Sequence, residues 1–316
     1  MANLFLRPRV RLFLFSLVAS VIPGARAQIP FYTDDTEVTP TKVVHMEFFN
    51  EFDALQSAQF PSLRQNTSNF KANTGLPHNL ELDFDIPYIS IYRANGTNGS
   101  SGIGDANMGI KWKFHQASPG SWVPSLASTF YVEFPTGSPR DQLGSGLTDY
   151  WLNFIAQVPL TDKTRVTTNV GFLFAGNTST GVVGIQTRRG HVYTGGLSLL
   201  HDFSPRLTLG GEAYGGIADT TGLGRSQLQG LVGGMYAVKN GVSITLAVLG
   251  GKYEASPTIG GQVGLAIDLP SIFRRPSTDQ TSLKFNLPSV PNPHIGELHD
   301  LQAGDTQKCS IICLTR

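Results

Sequence analysis

From Asn79 to Tyr88 the chain reads N-L-E-L-D-F-D-I-P-Y, and from Asp105 to His115 it reads D-A-N-M-G-I-K-W-K-F-H. In the first run Leu80, Leu82, Phe84, Ile86 and Tyr88 alternate with Asn79, Glu81, Asp83 and Asp85. In the second, Ala106, Met108, Ile110, Trp112 and Phe114 alternate with Asp105, Asn107, Lys111, Lys113 and His115. A period of two sends successive side chains to opposite faces of a strand. One face here is large and aromatic; the other carries Glu81, Asp83, Asp85, Asp105, Lys111 and Lys113. A soluble sandwich would put such charges in water. A membrane barrel turns the apolar face to lipid and the charged face to a lumen. The alternation alone leaves both open.

The same reading predicts twelve strands, near 43–53, 63–75, 79–92, 104–115, 122–134, 148–160, 165–175, 191–201, 206–217, 227–238, 242–253 and 258–269. Val166, Thr168, Val170, Phe172 and Phe174 form one face, and Val242, Ile244, Leu246 and Val248 another, against Ser243, Thr245 and Ala247. The connections choose between the two folds. Short turns fall at 76–78, 161–163, 204–205 and 239–241, with a slightly longer one at 117–120, and all but 161–163 carry an Asn-Gly or Pro signal. They alternate with longer Gly/Ser/Asn-rich loops at 94–102, 136–146, 176–190 and 218–226. A barrel with short periplasmic turns and long extracellular loops has that order. The fold expected is all-β: a single antiparallel transmembrane β-barrel of about twelve strands over 42–273. Tyr88, Tyr92, Trp122, Tyr131, Phe134, Tyr150, Trp151 and Tyr253 fall toward strand ends, where interfacial girdles are expected.

The start of the chain agrees with export. Arg7, Arg9 and Arg11 precede an apolar stretch from Leu12 to Ile22, and Ala25-Arg26-Ala27 forms a small-x-small site. These mark a signal peptide over 1–27 with cleavage after Ala27. No stretch reaches the roughly 18 apolar residues of a spanning helix. A periplasmic N-terminal segment, 28–41, then leads into the barrel. After Phe273 the alternation stops, and 274–316 reads as a Pro-containing flexible tail. Composition fits: Gly is abundant at 35 residues, only 15% of residues are charged, and the net charge of +1 offers no basic surface for nucleic acid. The two cysteines, Cys309 and Cys313, lie in the tail and suggest no role in the barrel.

The barrel reading gathers the polar faces in a lumen. Its expected lining is Glu81, Asp83, Asp85, Asp105, Lys111, Lys113, Glu133, Arg165 and Glu212, together with Asp268. With the loop after the third strand centred near Thr97, Glu81 falls opposite Lys113 and Asp83 opposite Lys111, where opposite charges attract. Two readings stand: the charges neutralise one another and fill a narrow barrel, or they form a constriction that selects by charge and size. Later strands turn small or uncharged residues inward, namely Thr194, Gly196, Ser198, Gln227, Gln229, Ser243, Thr245, Gln262 and Gly264. Charge is therefore expected on one wall, with room for a passage beside it.

No catalytic, cofactor or metal constellation emerges. The stretch from Gly99 to Gly104 is glycine-rich but lacks the Gly-Lys-Ser/Thr ending of a phosphate loop. The seven histidines show no ligand spacing, and no Gly-x-Ser-x-Gly elbow occurs. A channel is thus preferred over a non-conducting structural or ligand-binding barrel, and over a barrel hydrolase.

Several motifs together resemble a bacterial outer-membrane transporter family of the phenol-degradation meta-pathway. They are Thr33-Asp34-Asp35-Thr36, L-E-L-D-F-D-I-P-Y, Gly102-Ile103-Gly104-Asp105, Gly109-Ile-Lys-Trp-Lys-Phe, Phe134-Pro-Thr-Gly137 and Gly144-Ser-Gly-Leu-Thr-Asp149-Tyr150. The resemblance implies an outer-membrane barrel channel for small, aromatic or hydrophobic compounds. The partners implied are outer-membrane lipid, the barrel-assembly machinery and a small-molecule permeant. The tail departs from the pattern of barrels that end on an aromatic residue, since 43 residues follow Phe273.

Overall fold

Strands dominate the structure, a computed structural model that describes residues 30–94, 97–118, 122–175, 190–218 and 227–270. The expected signal peptide, the expected tail with its two cysteines, and most of the stretches 176–190 and 218–226 lie outside these residues. In chain order the strands are β1 (Val43–Ala54), β2 (Ser62–Leu76), β3 (Leu80–Arg93), β4 (Ser100–Ile103), β5 (Ala106–His115), β6 (Ser125–Phe134) and β7 (Asp149–Pro159). They continue as β8 (Thr164–Ala175), β9 (Gly190–Ser204), β10 (Leu207–Ala218), β11 (Gln227–Lys239), β12 (Val242–Lys252) and β13 (Ile259–Pro270). Among the described residues twelve of them close into an antiparallel barrel. Only β4 stands outside the ring, paired to β3 alone.

Closure happens at β1, which pairs with β2 on one side and with β13 on the other. The seam is tied by side chains as well. His45 and Asp268 are direct partners across it, with Nδ1 2.6 Å from the Asp268 carboxylate, while Nε2 lies 3.0 Å from Glu47.

The pleat sorts side chains as the alternation requires, and the sorting is inside out relative to a soluble protein. On β5, Trp112 is 51% exposed while its neighbour Lys111 is 2% exposed. On β12, Ile244, Leu246 and Val248 face outward and Thr245 and Ala247 face inward. Exposed large apolar side chains ring the barrel, and charges are buried within it. A surface of this kind is stable against hydrocarbon and not against water.

Short connections do gather at one end. His78 and Asn79 adopt positive φ in the β2–β3 turn, and Gly241 does so in the β11–β12 turn. Two expectations need correction. The stretch 94–102 is not all loop, because Ser100–Ile103 forms β4 folded back on β3. And β6 begins at Ser125, so the connection after β5 is longer than expected and exposes Trp122.

Outward Leu246 lies at the middle of β12 and is 61% exposed. Replacing it by arginine should destabilise the barrel in lipid vesicles by about 2–4 kcal/mol, the cost of a cation at the bilayer midplane. Denaturant titration of the reconstituted Leu246→Arg protein against the wild type measures this.

Candidate functional site

Inward positions of β1, β2, β3, β5, β6 and β7 carry most of the buried charge. Glu47, Glu51 and Asp53 on β1 join Glu81 and Asp83 on β3, Lys111 and Lys113 on β5, and Asp149 on β7. Of the residues expected from sequence, Glu81, Asp83, Asp105, Lys111, Lys113 and Glu212 are all buried. Asp85, Glu133 and Asp105 line a common cavity. The β1 acids, Lys71 and Asp149 were missing from the expected lining. The signal for them was present, since His45, Glu47, Phe49, Glu51 and Asp53 share one parity on a strand read correctly.

The expected facing pairs, Glu81 with Lys113 and Asp83 with Lys111, do not form. Glu81 stands opposite Lys111 and Asp83 opposite Gly109, a register two residues away from expectation. The cause lies at the loop: β4 keeps pairing with β3, so the turn is tighter and centred before Thr97. A shift of two keeps every side chain on its face and changes only its partner.

The lysines pair instead with a segment expected in the periplasm. Residues 30–41, in place of lying outside, thread the ring as a strap. Lys111 Nζ donates to Asp34 at 2.7 Å and lies 3.5 Å from Asp35, and Lys113 Nζ donates to Glu37 at 2.9 Å. Glu81 accepts the backbone N–H of Thr39. On the far wall Glu212 accepts the N–H groups of Tyr32 at 2.9 Å and Thr33 at 2.8 Å. With its amide oriented by this network, Asn169 on β8 bonds both the N–H and the C=O of Asp34. Tyr32 donates its hydroxyl to Glu51 at 2.6 Å.

The smooth wall explains where the strap fits. Phe31 packs against Leu231, Ala247 and Leu249, and Tyr32 stacks on Tyr214 at 5.9 Å. Apart from Glu212 and Asp268, the inward side chains of β9 to β13 are mostly small or uncharged as expected, yet the space beside them is not an empty passage. The strap's aromatics occupy part of it.

Two other expected residues, Asp105 and Arg165, act locally. Asp105 accepts backbone N–H groups from Gly137 at 2.9 Å and Ser145 at 2.7 Å, which tethers the β6–β7 connection. Leu143 of that connection tucks in against Ile89 and Ile91. Arg165 pairs with Asp202 on β9 at 3.1 Å, away from the cavity.

Between the strap and the charged wall lies a cavity of about 310 Å³. Tyr131 and Trp151 line it, correcting their assignment to a girdle. Their parity with buried Thr129 and Asn153 turns them inward, while Tyr88, Tyr92, Trp122, Phe134, Tyr150 and Tyr253 remain exposed. Their rings lie 6.1 Å apart, and Tyr131 donates to Asp83 at 2.7 Å. Gly109 makes room, because a Cβ there would stand 2.2 Å from the Tyr131 ring.

The profile of a family described as "Putative MetA-pathway of phenol degradation" matches residues 33–266. The chain belongs to that family. No sequence match to a curated protein is found. Among solved structures, an outer membrane channel from Pseudomonas putida F1 is similar at 15% identity and a TM-score of 0.59, covering 74% of this chain and 98% of that one. The NanC porin follows at 7% identity and TM-score 0.49, covering 72% and 100%. The first likeness agrees with the closed antiparallel barrel. For this member of the phenol-degradation family, the matched span begins at Thr33, so it takes in most of the strap as well as the ring.

Removing Lys111 would leave Asp34 and Asp35 without their cation, and breaking a buried pair costs about 3–5 kcal/mol. Lys111→Met should therefore release the strap, exposing residues 30–40 to added protease in the reconstituted barrel while the strands stay protected. Asp34→Asn combined with Lys111→Met should show less release than Lys111→Met alone.

Proposed function

We propose that this protein is an outer-membrane channel for passive movement of small molecules. The observation that carries the reading is the inversion of faces: apolar residues outside, and a polar lumen that still holds a cavity of about 310 Å³ between strap and wall. Lipid surrounds the outward belt, and the barrel-assembly machinery of the outer membrane is the partner that would insert it. Tyr32, Tyr131, Trp151 and Tyr214 on the cavity lining support aromatic compounds among the permeants.

One observation favours a second reading, a barrel that binds ligand without conducting. The strap is fastened at both walls by charged and backbone hydrogen bonds, and it narrows the lumen. Conduction through the cavity would then depend on the strap yielding.

Two measurements separate these. Proteoliposomes carrying the wild-type chain should admit small solutes, and planar bilayers should show discrete conductance. A chain lacking residues 30–40 should conduct several-fold more. Silence of both forms, with folding verified, would remove the channel reading and leave the binding one.

A further inference from the structure

We infer that the cavity between the strap and the β3–β7 wall is a binding site for a small organic cation bearing N–H groups, such as an aromatic ammonium. The inference names a ligand class for the proposed channel, and rests on that reading only for how the ligand arrives.

The first ground is charge. Among the described residues lining the cavity, Lys71 is the one cation against eight carboxylates. Lys111 and Lys113 are engaged by the strap's acids. A register row crosses the sheet here: Lys71 stands opposite Asp85, Asp85 opposite Asn107, Asn107 opposite Glu133, and Glu133 opposite Asp149. Confined carboxylates at this density attract a cation into their midst.

The second ground is independent of charge. Asn69 lines the cavity and is 8% exposed; its Nδ2 donates to Asp85 at 3.0 Å, which fixes the amide and leaves Oδ1 with no partner. Asn153, 3% exposed and on the same lining, also has a partnerless Oδ1. A buried acceptor left unsatisfied costs about 1–3 kcal/mol, which a donor-bearing ligand would recover.

The third ground sets the ligand's shape. Tyr131 and Trp151 line the cavity beside the acids with their ring centroids 6.1 Å apart, aromatic surface of the kind that serves cation–π contact or stacking. Trp151 Nε1–H, also without a partner, can donate to water or to a ligand oxygen. Among the described residues no three of His, Cys, Asp and Glu converge to hold a metal ion, so the chemistry favours an organic cation.

Calorimetric titration of the full chain in detergent with benzylammonium, benzyl alcohol and benzoate tests this. These probes share a ring and differ in charge. Benzylammonium should bind at least tenfold more tightly than the alcohol, with benzoate weakest. Asp85→Asn together with Glu133→Gln should weaken benzylammonium at least tenfold and leave the alcohol unchanged. Equal affinities for the three probes in the wild type would overturn the inference, as would no binding at all. Should the double variant fail to fold, the wild-type series alone still decides. Flux in proteoliposomes is read separately: binding without flux would sink the channel and keep the site, and flux without charge preference in binding would do the reverse.

Discussion

Joining β1 to β13 leaves the ring without a free edge, and everything else in the molecule follows from that closure. In hydrocarbon each unpaired backbone group costs several kcal/mol, so the ladder must be complete. Completeness in turn allows each side chain two destinations, lipid or lumen. Charges are expelled from the first, and they accumulate in the second at a density no soluble core would tolerate. The lumen must then supply partners. Part of the supply is a lattice of strand-to-strand contacts such as Tyr131 to Asp83 and His45 between Glu47 and Asp268. The rest comes from the strap, whose Asp34, Asp35 and Glu37 meet the two lysines of β5.

How much of this could be read from residue order depends on what a period of two encodes. Parity fixes the face of a side chain, so the strands, the lipid belt and the burial of Glu81, Asp83, Lys111 and Glu212 were all legible. Parity does not fix the partner. A slip of two residues between β3 and β5 leaves both faces intact, and only the local turn decides the register. That turn is governed by β4, four residues with no distinctive alternation. Tyr131 and Trp151 show a different loss. Their parity with Thr129 and Asn153 places them inside, but their position near strand ends suggests a girdle. Face outranks position because the pleat is rigid and the girdle is only a preference.

The strap was the least legible element. Residues 30–41 have no period, since they pair with no strand beyond a single bridge at Thr41 and Gly75. What marks the segment is complementarity at long range: three acids, Asp34, Asp35 and Glu37, and two alternate lysines, with Asp34 and Lys111 77 residues apart. Either set alone reads as a solvated run. Only the closed ring brings Lys111 and Asp34 within 2.7 Å.

The two walls therefore have separate tasks. Small inward residues on β9 to β13 are a volume device, leaving room for Phe31 and Tyr32 to seat there, while Asp34, Asp35 and Glu37 reach across to β5. With the strap held there, open space is displaced toward β3, β5, β6 and β7, where the acids and the inward aromatics stand. A solute in that space would meet these acids and aromatics on one side, and Thr194, Tyr214 and Gln262 on the other. On the channel reading, the charged face that began as a mark of strand structure would be the surface a permeant touches. Its chemistry there is set less by the ladder's own lysines, which the strap consumes, than by the carboxylates those lysines leave behind.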